Sequence, residues 1–143
     1  MVQLYNYMGQ ALEITVDASV IIAVVLNERS KARLVDGTRA AELLSPPTLY
    51  WEVGNALSAL FKRRRIDLAQ ARAALRSLDD IAIRLADVDL EASVSLAHEQ
   101  SIYAYDAYVL ECARRYRTPL LSLDVPQREL ARRLGIEVMD VAA

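Results

Sequence analysis

A chain of 143 residues that is 54% hydrophobic and 25% charged is long enough for one buried core and too apolar to be disordered. Its formal net charge of −2 supplies no global basic field for nucleic acid, and its single cysteine, Cys112, excludes an internal disulfide. With His98 as the only histidine, zinc sites of the Cys/His type are excluded too, so any metal must be held by oxygen, which favours Mg²⁺ or Mn²⁺.

Residues 1–11 read as an N-terminal extension, with Gly9 as a break, ahead of one domain over 12–143. The start, "MVQLYNYMGQ", has no basic region followed by an apolar block, so no secretion signal is expected. No apolar run approaches the roughly 20 residues that span a bilayer, so no membrane association is expected. Together with the cysteine usage this predicts a cytoplasmic protein.

Leu12–Val16 reads as a strand, and Val20–Leu26 as a helix that Ser19 can cap. Arg29–Leu44 reads as helical, with a break at Gly37, and Pro46 and Pro47 stop it. Val53, Leu57 and Leu60 recur at helical spacing in Tyr50–Arg64. Asp67 starts another helix, with Gln70 placed for a capping box. Ile81, Ile83 and Leu85 alternate as in a strand, and Leu90–Glu99 and Tyr105–Tyr116 are helical. "PLLSLD" reads as a strand ending at Asp124, followed by a helix over Gln127–Leu134 closed by Gly135, then a last short strand over Glu137–Val141.

Strands separated by single helices imply parallel crossovers, hence an α/β fold. In open sheets of this kind the binding crevice lies beyond the carboxyl ends of the strands, where Asp17 and Asp124 both fall. Glu52, in "YWEVGNAL", and Asp106, in "YAYDAYVLECA", stand near helix starts. Each acid alone has a bland explanation as a helix cap or a complement to the helix dipole. Jointly they would crowd one rim. Two carboxylates about 4 Å apart repel by roughly 4 kcal/mol at an effective dielectric of about 20. Protonation or a bound cation relieves that repulsion, and a hard divalent ion is the simpler remedy.

The segments "VDASVII", "EVGNAL", "YDAYVLECA" and "LLSLD", in this order, resemble the motifs of PIN-domain ribonucleases, most closely the VapC-type toxins of prokaryotic toxin–antitoxin pairs. The resemblance runs from about Glu13 to Val141. It implies a three-layer fold with a mostly parallel central sheet of four to five strands and helices on both faces. It also implies that Asp17, Glu52, Asp106 and Asp124 are the catalytic and metal-binding acids, with Ser19 and Ser122 as supporting donors. The "LLSLD" segment has Ser122 where many members carry threonine. Further implications are a Mg²⁺- or Mn²⁺-dependent endoribonuclease that leaves a 5′ phosphate and a 3′ hydroxyl, a homodimer, and inhibition by a cognate VapB-like antitoxin whose tail takes an apolar groove. The ion would lower the pKa of a water and orient it toward phosphorus, a task for which the chain offers no suitable histidine.

Three basic blocks stand apart from the acids. Lys62, Arg63, Arg64 and Arg65 read either as a solvated helix end or as RNA phosphate contacts, and Arg114, Arg115 and Arg117 divide the same way. Arg128, Arg132 and Arg133 make the third. Tyr103, Tyr105 and Tyr108 around Asp106 are read as core or interface packing ahead of base stacking, and Trp51 beside Glu52 is equally ambiguous. His98 reads as exposed and Cys112 as a small buried hydrophobe. The rival reading is a non-catalytic PIN-like module that binds RNA or protein. A response-regulator receiver lacks its lysine after "LLSLD", and a haloacid-dehalogenase-like phosphatase lacks D-x-D at "DAS".

Overall fold

The branched run Glu13–Val16 forms β1, and the chain continues through α1 (Ala18–Val25), α2 (Lys31–Thr38), β2 (Glu42–Ser45), α3 (Leu49–Lys62) and α4 (Leu68–Asp79). It then passes through β3 (Ile83–Leu85), α5 (Leu90–Gln100), α6 (Ala104–Tyr116), β4 (Leu120–Leu121) and α7 (Val125–Arg133). The computed structural model describes residues 12–140, so the expected extension over 1–11 and the end of the expected last strand at Val141 lie outside the described residues.

The four strands pair in parallel in the order β3-β2-β1-β4. Registers such as Ile14 to Leu43, Thr15 to Leu120 and Leu44 to Arg84 bring all four carboxyl ends to one edge. The expected α/β class is therefore the observed one, with two corrections. The stretch Arg29–Leu44 is not one helical region, because Glu42–Ser45 enters the sheet between β1 and β3. Alanine, glutamate and leucine favour helix, and pairing on both sides overrides that preference. Crossovers also carry pairs of helices rather than single ones: α1 and α2, α3 and α4, α5 and α6.

Side chains on β1 alternate between the two faces, as the pleat requires. Ile14 and Val16 join a core with Val20, Ile21, Leu49 and Val53 from α1 and α3. Thr15 faces the other way, its Oγ1 2.6 Å from Thr118 Oγ1 and 3.6 Å from Cys112 Sγ. On that side Leu96, Leu110, Leu120 and Leu130 form the second core, contributed by α5, α6, β4 and α7. The result is three layers, helix on sheet on helix.

Local signals account for the helix ends. Asp67 and Gln70 form the anticipated capping box at the start of α4. Gly135, at φ +78°, closes α7 in the left-handed region that glycine adopts without penalty. The last expected strand is reduced to one bridge, Leu120 to Val138, held by Leu120 N donating to Glu137 O and Met139 N to Leu120 O, both at 2.8 Å. Among the described residues no helix is long and apolar enough to cross a membrane.

Candidate metal centre

All four expected acids reach the edge where the strands end, each for a reason visible in the chain path. Asp17 directly follows β1, and Asp124 follows β4 at the head of α7. Glu52 lies in the first turn of α3, which leaves the carboxyl end of β2. Asp106 lies in the first turn of α6, which runs antiparallel to the β4 that follows it and so begins at the same edge.

Asp17 is the most enclosed of the four, 8% exposed. Its Oδ1 accepts from Ser19 N at 3.0 Å and from Ser19 Oγ, and its Oδ2 accepts from Ser122 Oγ. Leu123 N donates to Ser19 Oγ and Asp124 N to Ser122 Oγ, each at 3.0 Å. Each hydroxyl thus accepts from a backbone amide, which directs its single proton to the carboxylate. The loop after β4 is stitched by this network to the loop after β1. A carboxylate offers about four lone-pair directions, so Asp17 retains one for a cation. Both serines therefore donate to Asp17, and the helix cap is Asp17 itself and not Ser19.

Thr48 Oγ1 donates to Glu52 Oε2 at 3.1 Å, which leaves Oε1 unengaged by that bond. Gln127 ties the remaining two acids together: its N donates to Asp124 Oδ1 at 3.3 Å and its side-chain amide to Asp106 O at 3.0 Å. Sequence reading missed both residues. Thr48 stands four positions before Glu52, one helical turn, and Gln127 stands three after a capping aspartate, the position whose amide a cap receives.

Electrostatics closes the four acids into a ring. Burial pushes the Asp17 carboxyl above its ordinary range against the pull of its serine bonds, and the Asp124 charge adds to the rise. Glu52 is pushed from 4.5 to about 7, first by burial, then by the charges of Asp17 and Asp106. Asp106 rises by burial and by Asp124. Among the described residues no lysine or arginine offsets any of the three. The donor set fits a hard divalent ion in chemistry, being oxygen only and carrying surplus negative charge. Its shape is open rather than closed: among the described residues no three His, Cys, Asp or Glu side chains stand close enough to grip one ion as placed.

The basic blocks are not brought to this site. Lys62 lies ten residues beyond Glu52 on α3, about 15 Å along the axis, and Lys62–Arg65 are all exposed there. Arg114 and Arg115 end α6, the former paired at 2.8 Å with Glu111. Arg132 and Arg133 end α7, and Arg128 lies 3.9 Å from Asp140. The core half of the aromatic expectation needs correction: Trp51, Tyr103 and Tyr105 are exposed, and Tyr108 is partly buried. His98 is exposed and Cys112 fully buried, as read from the sequence.

No curated protein matches the sequence. Among solved structures, PAE2754 from Pyrobaculum aerophilum is similar with a TM-score of 0.64 at 23% identity, covering 87% of this chain and 97% of that one. A domain of a functionally unknown protein from Methanocaldococcus jannaschii DSM 2661 gives a TM-score of 0.57 at 20% identity, covering 93% of both chains. These likenesses show the fold. The family model for the PIN domain matches residues 14–133, a span that holds all four acids, and the chain belongs to that family.

Proposed function

We propose that the protein is a Mg²⁺- or Mn²⁺-dependent endoribonuclease of the VapC toxin type, acting as a homodimer in the cytoplasm and restrained by a cognate VapB-like antitoxin. PIN domains are generally a nuclease fold and typically use divalent metals. The observation that carries the reading for this chain is the gathering of carboxylates from four separate segments at one edge, three of which, Asp17, Glu52 and Asp106, are raised in pKa first by burial and then by neighbouring carboxylates.

Asp17, Glu52, Asp106 and Asp124 would hold the ion. When bound, it would supply an acidified water and offset charge developing on the phosphoryl oxygens. Ser19 and Ser122 fix the direction of the Asp17 carboxylate. Thr48 fixes one oxygen of Glu52 and leaves the other to accept a proton or join the ion. Gln127 holds the starts of α6 and α7 together, and with them the spacing of Asp106 and Asp124. Lys62–Arg65 would meet phosphates of a strand extending well past the scissile bond. An apolar recess of about 360 Å³, lined in part by Val20, Val24, Val35, Leu43 and Ile81, supports the antitoxin reading, since it suits an apolar segment of a partner.

The open spacing of the acids favours a second reading, a PIN-like module that binds RNA or protein without cutting. Two measurements separate them. Cleavage of single-stranded RNA that needs Mg²⁺ and falls more than about 100-fold in Asp17→Asn, with an unchanged circular dichroism spectrum, supports the nuclease; supporting residues alone typically account for 10–100-fold. Mg²⁺ at about ten times its Kd adds about 1.4 kcal/mol to the folded state and raises Tm by about 3–5 °C. Full activity in Asp17→Asn, or no Tm shift at millimolar Mg²⁺, rejects the nuclease reading.

A further inference from the structure

Three large aromatic side chains stand in water on the two helix starts that carry Glu52 and Asp106. Trp51 is 77% exposed, Tyr103 is 84% exposed and Tyr105 is 54% exposed. Rings of this size normally bury 150–250 Å² each, so they contribute little to this fold where they stand. Their positions are not scattered. Trp51 precedes Glu52 in the first turn of α3, Tyr103 is the residue at which α6 begins, and Tyr105 precedes Asp106. Both helix starts stand at the edge where the parallel strands end. Tyr105 is also braced, packing edge-on against Tyr108 with ring centres 5.9 Å apart and planes at 87°.

Charge decides what such rings can hold. The rim is acidic and repels a phosphodiester, and the basic blocks lie at the far ends of α3, α6 and α7. A nucleic-acid strand brought to the acids therefore needs an attraction that does not run through its phosphates. Bases supply one, because every base has a π-face that stacks on an aromatic ring, and only unpaired bases expose it.

We propose that Trp51 and Tyr103, with Tyr105 beside them, form a stacking platform for unpaired bases flanking the phosphate presented to the acids, and so select single-stranded over duplex RNA. This rests on the ribonuclease reading above. Cation-mediated attachment of the phosphate and ring-mediated attachment of the bases are then separate contributions. The platform sets KM and strand preference, while the acids set kcat.

Trp51 is the sole tryptophan, so its fluorescence reports the platform directly. The probe is a mixed-sequence single-stranded oligoribonucleotide, titrated into the full chain in EDTA, against the same strand annealed to its complement. The single strand is expected to quench Trp51 emission and the duplex not to. Trp51→Ala and Tyr103→Ala are each expected to weaken single-strand binding about 5- to 100-fold, and to raise KM without lowering kcat when Mg²⁺ is present. Trp51→Phe and Tyr103→Phe are expected to recover most of the loss, and exposure of both rings predicts unchanged circular dichroism. Quenching without any cleavage would uphold the platform and remove the nuclease. Cleavage with unperturbed Trp51 emission and normal KM in Trp51→Ala would remove the platform and keep the nuclease. Equal binding of duplex overturns the proposal. So does a Trp51→Ala protein that turns from dimer to monomer with its RNA affinity intact, which would assign the ring to a second copy of the chain.

Discussion

Replacing Glu52 with glutamine is predicted to stabilise the metal-free protein at neutral pH while weakening the proposed metal site. Folding moves the Glu52 carboxyl from 4.5 to about 7, which at full weight corresponds to about 3 kcal/mol against the ionised folded state. Glu52 is only partly buried and water screens part of this, so about 1–2 kcal/mol is the working figure. The folded protein holds the proton more tightly than the unfolded chain. Below pH 4.5 both states keep it and there is no penalty; between 4.5 and about 7 the unfolded chain ionises first and stability falls; above 7 the loss is complete. Glutamine mimics the protonated acid and can still accept from Thr48. In EDTA, urea denaturation should therefore find Glu52→Gln equal to wild type near pH 4 and more stable at pH 8 by about 1–2 kcal/mol, or about 3–6 °C in Tm. Relief of Asp17, which the Glu52 carboxylate faces, acts in the same direction. Saturating Mg²⁺ should reverse the order, because only wild type keeps the full set of proposed ligands. Equal stability of the two proteins at pH 8 in EDTA would refute the argument that burial and charge crowding leave this acid uncompensated.

Two further substitutions test the supports of the site and of the fold. Ser122→Ala removes the donor to Asp17 Oδ2 and the acceptor of Asp124 N, in a position with no solvent access. It should lower Mg²⁺ affinity or activity by about 10–100-fold, read by Mg²⁺ titration of cleavage, and Ser122→Thr should restore most of it because the hydroxyl returns. Asp67→Ala breaks the reciprocal cap at the start of α4, far along the chain from the acids. It should reduce unfolding free energy by about 0.5–2 kcal/mol in urea with no change in metal affinity.

The parts of this molecule that were legible beforehand are those set by local chemistry. The Asp67–Gln70 box, the Gly135 stop and the amphipathic spacing of α3 each depend on a few neighbouring residues. The strand β2 was not legible, because Glu42, Leu43 and Leu44 prefer helix and become a strand only between β1 and β3. The strand β4 read too long for a related reason: Ser122 leaves the ladder to reach Asp17, and the amides of Leu123 and Asp124 bond to serine hydroxyls instead of a neighbouring strand. The four acids were legible as a set because their order and apolar frames resemble a family pattern. Thr48 and Gln127 carry no such frame, and their roles depend on which helix starts meet in space.

The bland and functional readings of the acids turn out to be the same geometry, and magnitude decides between them. Asp17 and Asp124 do cap α1 and α7, and Glu52 and Asp106 do sit in the first turns of α3 and α6. Four helix N-termini therefore aim partial positive charge at one rim, each worth about 0.3–1 kcal/mol to a nearby carboxylate. Were that sufficient, the acids would be held below their ordinary pKa. Instead Asp17, Glu52 and Asp106 are all raised, and Glu52 by the equivalent of about 1–2 kcal/mol after screening by water. Desolvation and mutual repulsion exceed what the helix ends return. The arginines show the converse: placed at the opposite ends of the same helices, they complement the dipoles there and leave the rim unneutralised. A helix-capping role explains why acids are tolerated at this edge. It does not explain why Asp17 is buried, and Glu52 and Asp106 partly so, at one rim where among the described residues the charges acting on them are those of other carboxylates, an excess of negative charge that a divalent ion would offset.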